Sequence, residues 1–256
     1  MRRRFAAAAL LLLAPVLSGA APEPVAAPPA DRVFALAAPW TCRTVLGSQT
    51  RESGTRSGET VDVTNEIRGV GDFRYTLHDH YAFDAAAGVW NVQTALGSKV
   101  AVRGLAPPWT GSTWNVIGRG PSDRAFTIRY ELLAGGDLRR TFAYVVPGTG
   151  LLRTTGAERC SPGDTPPPAD ACIVENFPAQ TLVTEAPRVD TGDLHGTVNV
   201  LVSLDASSNI VSAMIQSSPS GSLNKIALDT VRASKFQTEI RGCKPFAAKY
   251  IFSVSF

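Results

Sequence analysis

Three consecutive prolines, Pro166-Pro167-Pro168, constrain this chain more than any other feature. Proline fixes φ and has no amide hydrogen, so three in a row suit neither a helix interior nor a central strand. They lie within SPGDTPPPA (Ser161–Ala169), and residues 161–171 are read as a linker between an earlier and a later folded unit. A length of 256 residues allows two small domains, each burying its own core. A second Pro/Ala-rich stretch, APEPVAAPPA (Ala21–Ala30), makes residues 22–32 a tether ahead of the first unit.

Between these stretches, residues 33–160 read as nearly all strand. Alternation runs through Thr60–Ile67, Phe73–Phe83, Trp90–Leu96, Thr113–Gly118, Ala125–Leu133, Arg139–Val146 and Leu151–Ala157. Ala87-Gly88, Gly97-Ser98, Gly120-Pro121, Gly135-Gly136 and Pro147-Gly148 supply the turns. Eight or nine strands without a helix predict an all-β antiparallel barrel or sandwich, and the tryptophans Trp40, Trp90, Trp109 and Trp114 all fall in it. Such a barrel is either filled by side chains or encloses a small ligand, and both readings stay open. The hairpin Tyr81–Trp90, with Phe83-Asp84 and Gly88-Val89-Trp90, resembles the lipocalin-like barrels of bacteria on that one hairpin.

The start of the chain reads as a signal peptide over residues 1–21. Arg2, Arg3 and Arg4 precede an apolar run, Phe5–Leu17, and the small residues Ser18 to Ala21 follow it. The run falls short of the ~20 residues that span a bilayer and contains Pro15, which favours cleavage over an inner-membrane anchor through residues 5–21. Without those arginines, 22 basic residues face 22 acidic ones, so no basic footprint for nucleic acid or an anionic membrane remains. A periplasmic location and no stable membrane insertion after cleavage are expected. In an oxidising compartment, Cys42, Cys160, Cys172 and Cys243 predict two disulfides. Three pairings exist; the domain division favours Cys42 with Cys160, which bracket the first unit, and Cys172 with Cys243 in the second.

Residues 172–256 differ in texture. Gly196–Asp205 alternates Val198, Val200, Val202 and Leu204, a turn at Ala206–Asn209 follows, and Ile210–Ser217 completes a hairpin. Ser220 or Ser222 is the expected N-cap of a helix whose buried stripe is Leu223, Ile226, Ala227, Thr230 and Val231, ending at Phe236. Ala247–Phe256 gives a last strand. The order strand, strand, helix, strand predicts a small α+β unit.

Gly196, Ser217-Ser218, Gly221, Leu223-Asn224-Lys225-Ile226-Ala227-Leu228, Val231-Arg232, Phe236, Gly242 and the aromatic strand Tyr250–Phe256 follow the TonB pattern in order. Residues 172–256 thus resemble the C-terminal domain of the energy-transducer TonB family. Asn224 replaces that family's Asp, Pro219 and Ser220 are inserted before Gly221, and no Pro-Ala follows Phe236. The resemblance implies a Cys172–Cys243 bridge tying the leading segment to the loop before the last strand. It also implies binding of a protein partner by β-strand addition, with an outer-membrane receptor as the family's partner and outer-membrane transport as the setting. The surface it implies is the final strand: Lys249, Tyr250, Ile251, Phe252, Ser253, Val254, Ser255 and Phe256. An energy transducer in the strict sense would need a retained anchor and an extended spacer, and here a folded unit stands in the spacer's place.

No nucleophile elbow, P-loop, dinucleotide fingerprint or HExxH occurs, so neither a catalytic residue nor a cofactor is expected. His78 and His80 share one strand face, opposite Leu77 and Tyr81, and are weak metal candidates that read more simply as a solvated face. His195 reads as an exposed or structural loop residue, and the Arg139-Arg140 pair as surface. The favoured expectation is an exported partner-binding protein. The alternative is a carrier of a small apolar ligand in the barrel, with the TonB-like unit as a docking module.

Overall fold

The structure, a computed structural model, describes residues 31–69, 73–120, 123–184 and 195–256. The signal-peptide reading of residues 1–21 and most of the tether lie outside the described residues. Ten strands form a closed antiparallel barrel: β1 (Trp40–Thr44), β2 (Gln49–Ser57), β3 (Thr60–Arg68), β4 (Arg74–Asp84), β5 (Val89–Leu96), β6 (Lys99–Ala106), β7 (Thr113–Arg119), β8 (Ala125–Leu132), β9 (Leu138–Val145) and β10 (Leu152–Pro162). Each strand pairs with its sequence neighbour, and β1 pairs with β10 to close the ring, which removes both sheet edges. The alternating runs become strands because period-two patterning puts Val61, Val63, Tyr81, Trp90, Val92, Trp114 and Val116 on the inner wall. β1, β2 and β6 go beyond the seven alternating runs.

One end of the barrel is plugged. A 3-10 turn over Arg32–Ala37 enters it and buries Val33 and Leu36 among the tryptophans. Asp31 anchors the plug: its Oδ1 accepts from the amides of Val33 (3.0 Å) and Trp109 (3.1 Å), and its Oδ2 accepts from Trp90 Nε1 (2.8 Å). Asp31 and Arg32, read as tether from the sequence, are thus built into the fold. Gly54 on β2 makes room for the plug, since a Cβ there would stand 2.6 Å from Ala37 Cα.

The bridge Cys42–Cys160 joins directly paired residues of β1 and β10, and Cys172–Cys243 ties the later segment together, both as the domain division favoured. The chain after β10 stays against the barrel: Arg43 Nε donates to Pro167 O (2.7 Å), and Val174 and Phe177 pack on Val45 and Ala157.

The later residues form β11 (Asn176–Phe177), β12 (Gln180–Val183), β13 (Thr197–Leu204), β14 (Ile210–Ser217), α1 (Gly221–Ala233), β15 (Lys235–Gln237), β16 (Glu239–Arg241), β17 (Lys244–Phe246) and β18 (Ala248–Ser255). Strands β14, β13 and β18 make one antiparallel sheet in that order. Helix α1 lays Leu223, Ala227 and Val231 on the face formed by Val198, Val200, Val202, Phe252 and Val254. Ser220 caps the helix and Ser234 ends it, so Phe236 belongs to β15 rather than to the helix terminus. No helix among the described residues is long and apolar enough to cross a membrane.

Candidate functional site

The inner wall changes character along the barrel axis. Above the tryptophans at the plugged end, the hydroxyls of Tyr81 and Tyr130 meet at 3.0 Å across the barrel. Beyond them four ionisable side chains converge: Glu52 from β2, Asp79 from β4, Arg140 from β9 and Glu158 from β10. Parity explains the convergence. Asp79 is in phase with Leu77 and Tyr81, and Arg140 with Leu138 and Phe142, so strands that send their apolar residues inward send these with them. The surface assignment of Arg140 is therefore corrected: it is 4% exposed, while Arg139 lies on the outer wall beside Glu131 and Glu175.

Arg140 organises this layer. Its Nη2 donates to Glu52 and lies 3.4 and 3.5 Å from the two sulfurs of the Cys42–Cys160 bridge. Its Nε stands 2.9 Å from a Glu158 oxygen without aiming its N–H at it. Asp79 is held differently, by neutral donors: Thr94 Oγ1 at 2.6 Å on Oδ1 and Asn65 Nδ2 at 2.8 Å on Oδ2. Burial pushes the Glu52 carboxyl up to about 7, against the opposing pull of Arg140. Burial likewise raises Glu158 and Asp79 above the ordinary carboxyl range. Burial alone would lower the Arg140 guanidinium, but Glu158 and Glu52 outweigh it and keep the group charged.

This layer is the floor of a cavity of about 230 Å³, lined also by Thr50, Asn65, Tyr75 and Tyr130. A second cavity of about 550 Å³ shares Leu77, Thr94, Ile128 and Phe142 with the first and continues between Val102, Phe126 and Ala143. It reaches Arg124, an exposed residue whose guanidinium lies 4.8 Å over the Tyr144 ring. That end of the barrel carries exposed apolar side chains at its strand ends and turns: Phe73, Leu96, Val100, Leu151 and Leu152. The barrel is thus packed and plugged at one end, polar in the middle, and hollow and apolar toward the other.

No protein-family model matches this chain, and no curated protein matches it.

The residues singled out from sequence lie elsewhere. His78 and His80 project from the outer wall of β4, where His78 Nδ1 is 3.4 Å from Thr64 Oγ1 and His80 Nδ1 is 2.6 Å from Asp62. His195 is exposed. Among the described residues the one group with metal-ligand proximity is Cys42, Glu52, Glu158 and Cys160, and its sulfurs are bonded to each other with Arg140 set against them. Lys249 to Phe256 form β18 and its end. Phe252 and Val254 are buried under the helix, Tyr250 and Phe256 are partly buried, and Lys249, Ile251, Ser253 and Ser255 face out.

Proposed function

We propose that this protein carries a small, largely apolar ligand inside its ten-stranded barrel, in an exported, oxidising setting. The observation that carries the reading is the hollow half of the barrel: about 550 Å³ of apolar-walled space above a polar floor, within the ~300–1,000 Å³ usual for small-molecule sites. A barrel meant only for packing would continue its tryptophan core to both ends. The apolar rim at the hollow end gives such a ligand a route from another surface into the cavity. Two disulfides suit a protein working outside the reducing cytoplasm. The test is titration of the neutral fluorophore N-phenyl-1-naphthylamine into the native chain and into Ile128→Trp, which fills the space shared by both cavities. Saturable binding by the native chain and loss in the variant are expected. Equal binding by both, with the variant folded by circular dichroism, would overturn the carrier reading.

A second reading, docking of a protein partner by strand addition as the TonB resemblance implies, is favoured by the edge of β18. Among the described residues β18 pairs with β13 alone. Gly196 and Phe256 exchange both of their backbone hydrogen bonds, so the alternation of an antiparallel ladder turns the amides of Ile251, Ser253 and Ser255 to the free edge. Ser253→Pro therefore removes an edge donor without removing a β13–β18 bond. Pull-down with extended plug peptides of outer-membrane receptors should fall with this variant, and retention of full binding would sink the edge model.

A further inference from the structure

We infer that the ligand of the barrel is an apolar amine, bound with its ammonium group against Asp79 at the polar floor and its hydrocarbon body in the wider cavity. The inference rests on the carrier reading and adds the sign of the ligand's charge.

Two amphiphile chemistries fit an apolar cavity with an ionisable floor, and the floor discriminates between them. At the mouth, a carboxylate head would meet only Arg124, an exposed group whose attraction water weakens. At the floor, it would have to reach Arg140, the one basic side chain lining the deeper cavity. That guanidinium is already engaged by Glu52 and faced by Glu158. An incoming anion would need to displace one of these carboxyls while standing close to the other and to Asp79, a repulsion that low-dielectric surroundings strengthen. An ammonium head meets the opposite situation. Three carboxyl groups share one guanidinium, and Asp79 has only neutral donors on its oxygens, one on each. Each of those oxygens keeps a further acceptor site. Asp79 also keeps part of its side chain open to the cavity, where Glu52 does not. A monocation there offsets excess negative charge instead of adding to it, and the cost of taking it out of water is met by a buried counter-charge.

Orientation follows from the other end. Arg124 stands at the wider cavity, so a cationic head is repelled from the mouth and drawn to the floor, while the walls at Val102, Phe126, Ile128 and Phe142 take the apolar body. Affinity acquires a pH dependence of definite sign. The groups acting on Asp79 and Glu52, besides each other, are Arg140 from β9, Glu158 from β10, Tyr81 and the outward His78 from β4, and Tyr130 from β8, and burial leaves the carboxyls reluctant to ionise. A bound cation favours their ionised forms, so it binds with release of protons and more tightly as pH rises. An anion would bind with uptake of protons and more weakly as pH rises.

The experiment is calorimetric titration of the full chain with decylamine, decanol and decanoate, at pH 6 and pH 8 and below their aggregation limits. At pH 8 decylamine should bind about tenfold more tightly than decanol, and decanoate more weakly than decanol. Decylamine should lose severalfold in affinity at pH 6. Asp79→Asn, which keeps the side-chain size, should narrow the decylamine-to-decanol ratio by about tenfold. If that variant does not fold, the direction of the pH effect on the native chain decides alone. Decanoate binding tighter than decanol, or decylamine tighter at pH 6, overturns the inference. Equal binding of all three also overturns it but leaves the carrier reading standing, whereas binding of none removes both.

Discussion

Among the described residues no charged side chain is buried between α1 and the β14–β13–β18 sheet, whereas the barrel interior buries Glu52, Arg140 and Glu158. Both regions fold by the same rule, apolar positions at the period of their element facing inward. They differ in what they do with the interior so formed. Val198, Val200, Val202, Leu223, Val231 and Phe252 fill theirs with apolar side chains. The barrel spends one end on tryptophans and the plug, and leaves the rest polar and hollow. A cavity and a buried ionic layer both lower stability, so the barrel interior carries a cost that the later core does not.

The largest effect expected from this contrast comes from removing the barrel's cation. Arg140→Met leaves Glu52 and Glu158 without their counter-charge and should cost about 3–5 kcal/mol at neutral pH. The cost should shrink at acidic pH, where the carboxyls take up protons. Replacing all three, with Glu52→Leu and Glu158→Leu added, should recover most of the loss or exceed native stability. All four tryptophans lie in the barrel, so urea unfolding followed by tryptophan fluorescence reads this region alone. If Arg140→Met unfolds at the native midpoint, the ionic layer is not the weak point the comparison makes it.

A smaller effect follows from pH alone. The Glu52 carboxyl is raised to about 7 in the folded chain, from 4.5 when free, so the folded state holds its proton more tightly than the unfolded one. That contribution is complete below the unfolded value and is lost as pH rises through the folded one. Barrel stability should therefore fall by on the order of 2 kcal/mol between about pH 4.5 and pH 7.5. The same fluorescence midpoint measured across that range checks it. Glu52→Gln should flatten the slope, and an unchanged slope would assign the effect to Glu158 or Asp79.

The contrast also governs what could be read from the residues. The later core was legible because each apolar position repeats at the period of its element: Val198, Val200 and Val202 by twos, and Leu223, Ala227, Thr230 and Val231 by threes and fours. The barrel was legible where alternation is apolar, as in β4 and β8, and its disulfide followed from the cysteines bracketing it. Strand β2 was not, because its inward residues are Thr50, Glu52 and Gly54 and no apolar residue marks either face. The ionic layer was hidden for a related reason. Its members lie far apart in the chain, 88 residues between Glu52 and Arg140, and only closure of the ring brings them together. A signal was present in the parity of Asp79 and Arg140, both in phase with the inward aromatics. Adjacent arginines at 139 and 140 masked it, since one of any such pair on a strand must point inward.

The smallest effect belongs to the apolar region and tests its independence of the barrel. Ser220 caps α1 by accepting from the amide of Ser222 at 3.3 Å, and Ser220→Ala removes that acceptor from a helix N-terminus. A loss of about 1 kcal/mol is expected. Since α1 is the one α-helix among the described residues, ellipticity at 222 nm follows its unfolding while tryptophan fluorescence follows the barrel. If the two regions unfold separately, the variant shifts the first transition and leaves the second in place. A matching shift in both would mean that the packing of Val174 and Phe177 on Val45 and Ala157 couples them into one cooperative unit, and the comparison would then be one between two parts of a single core.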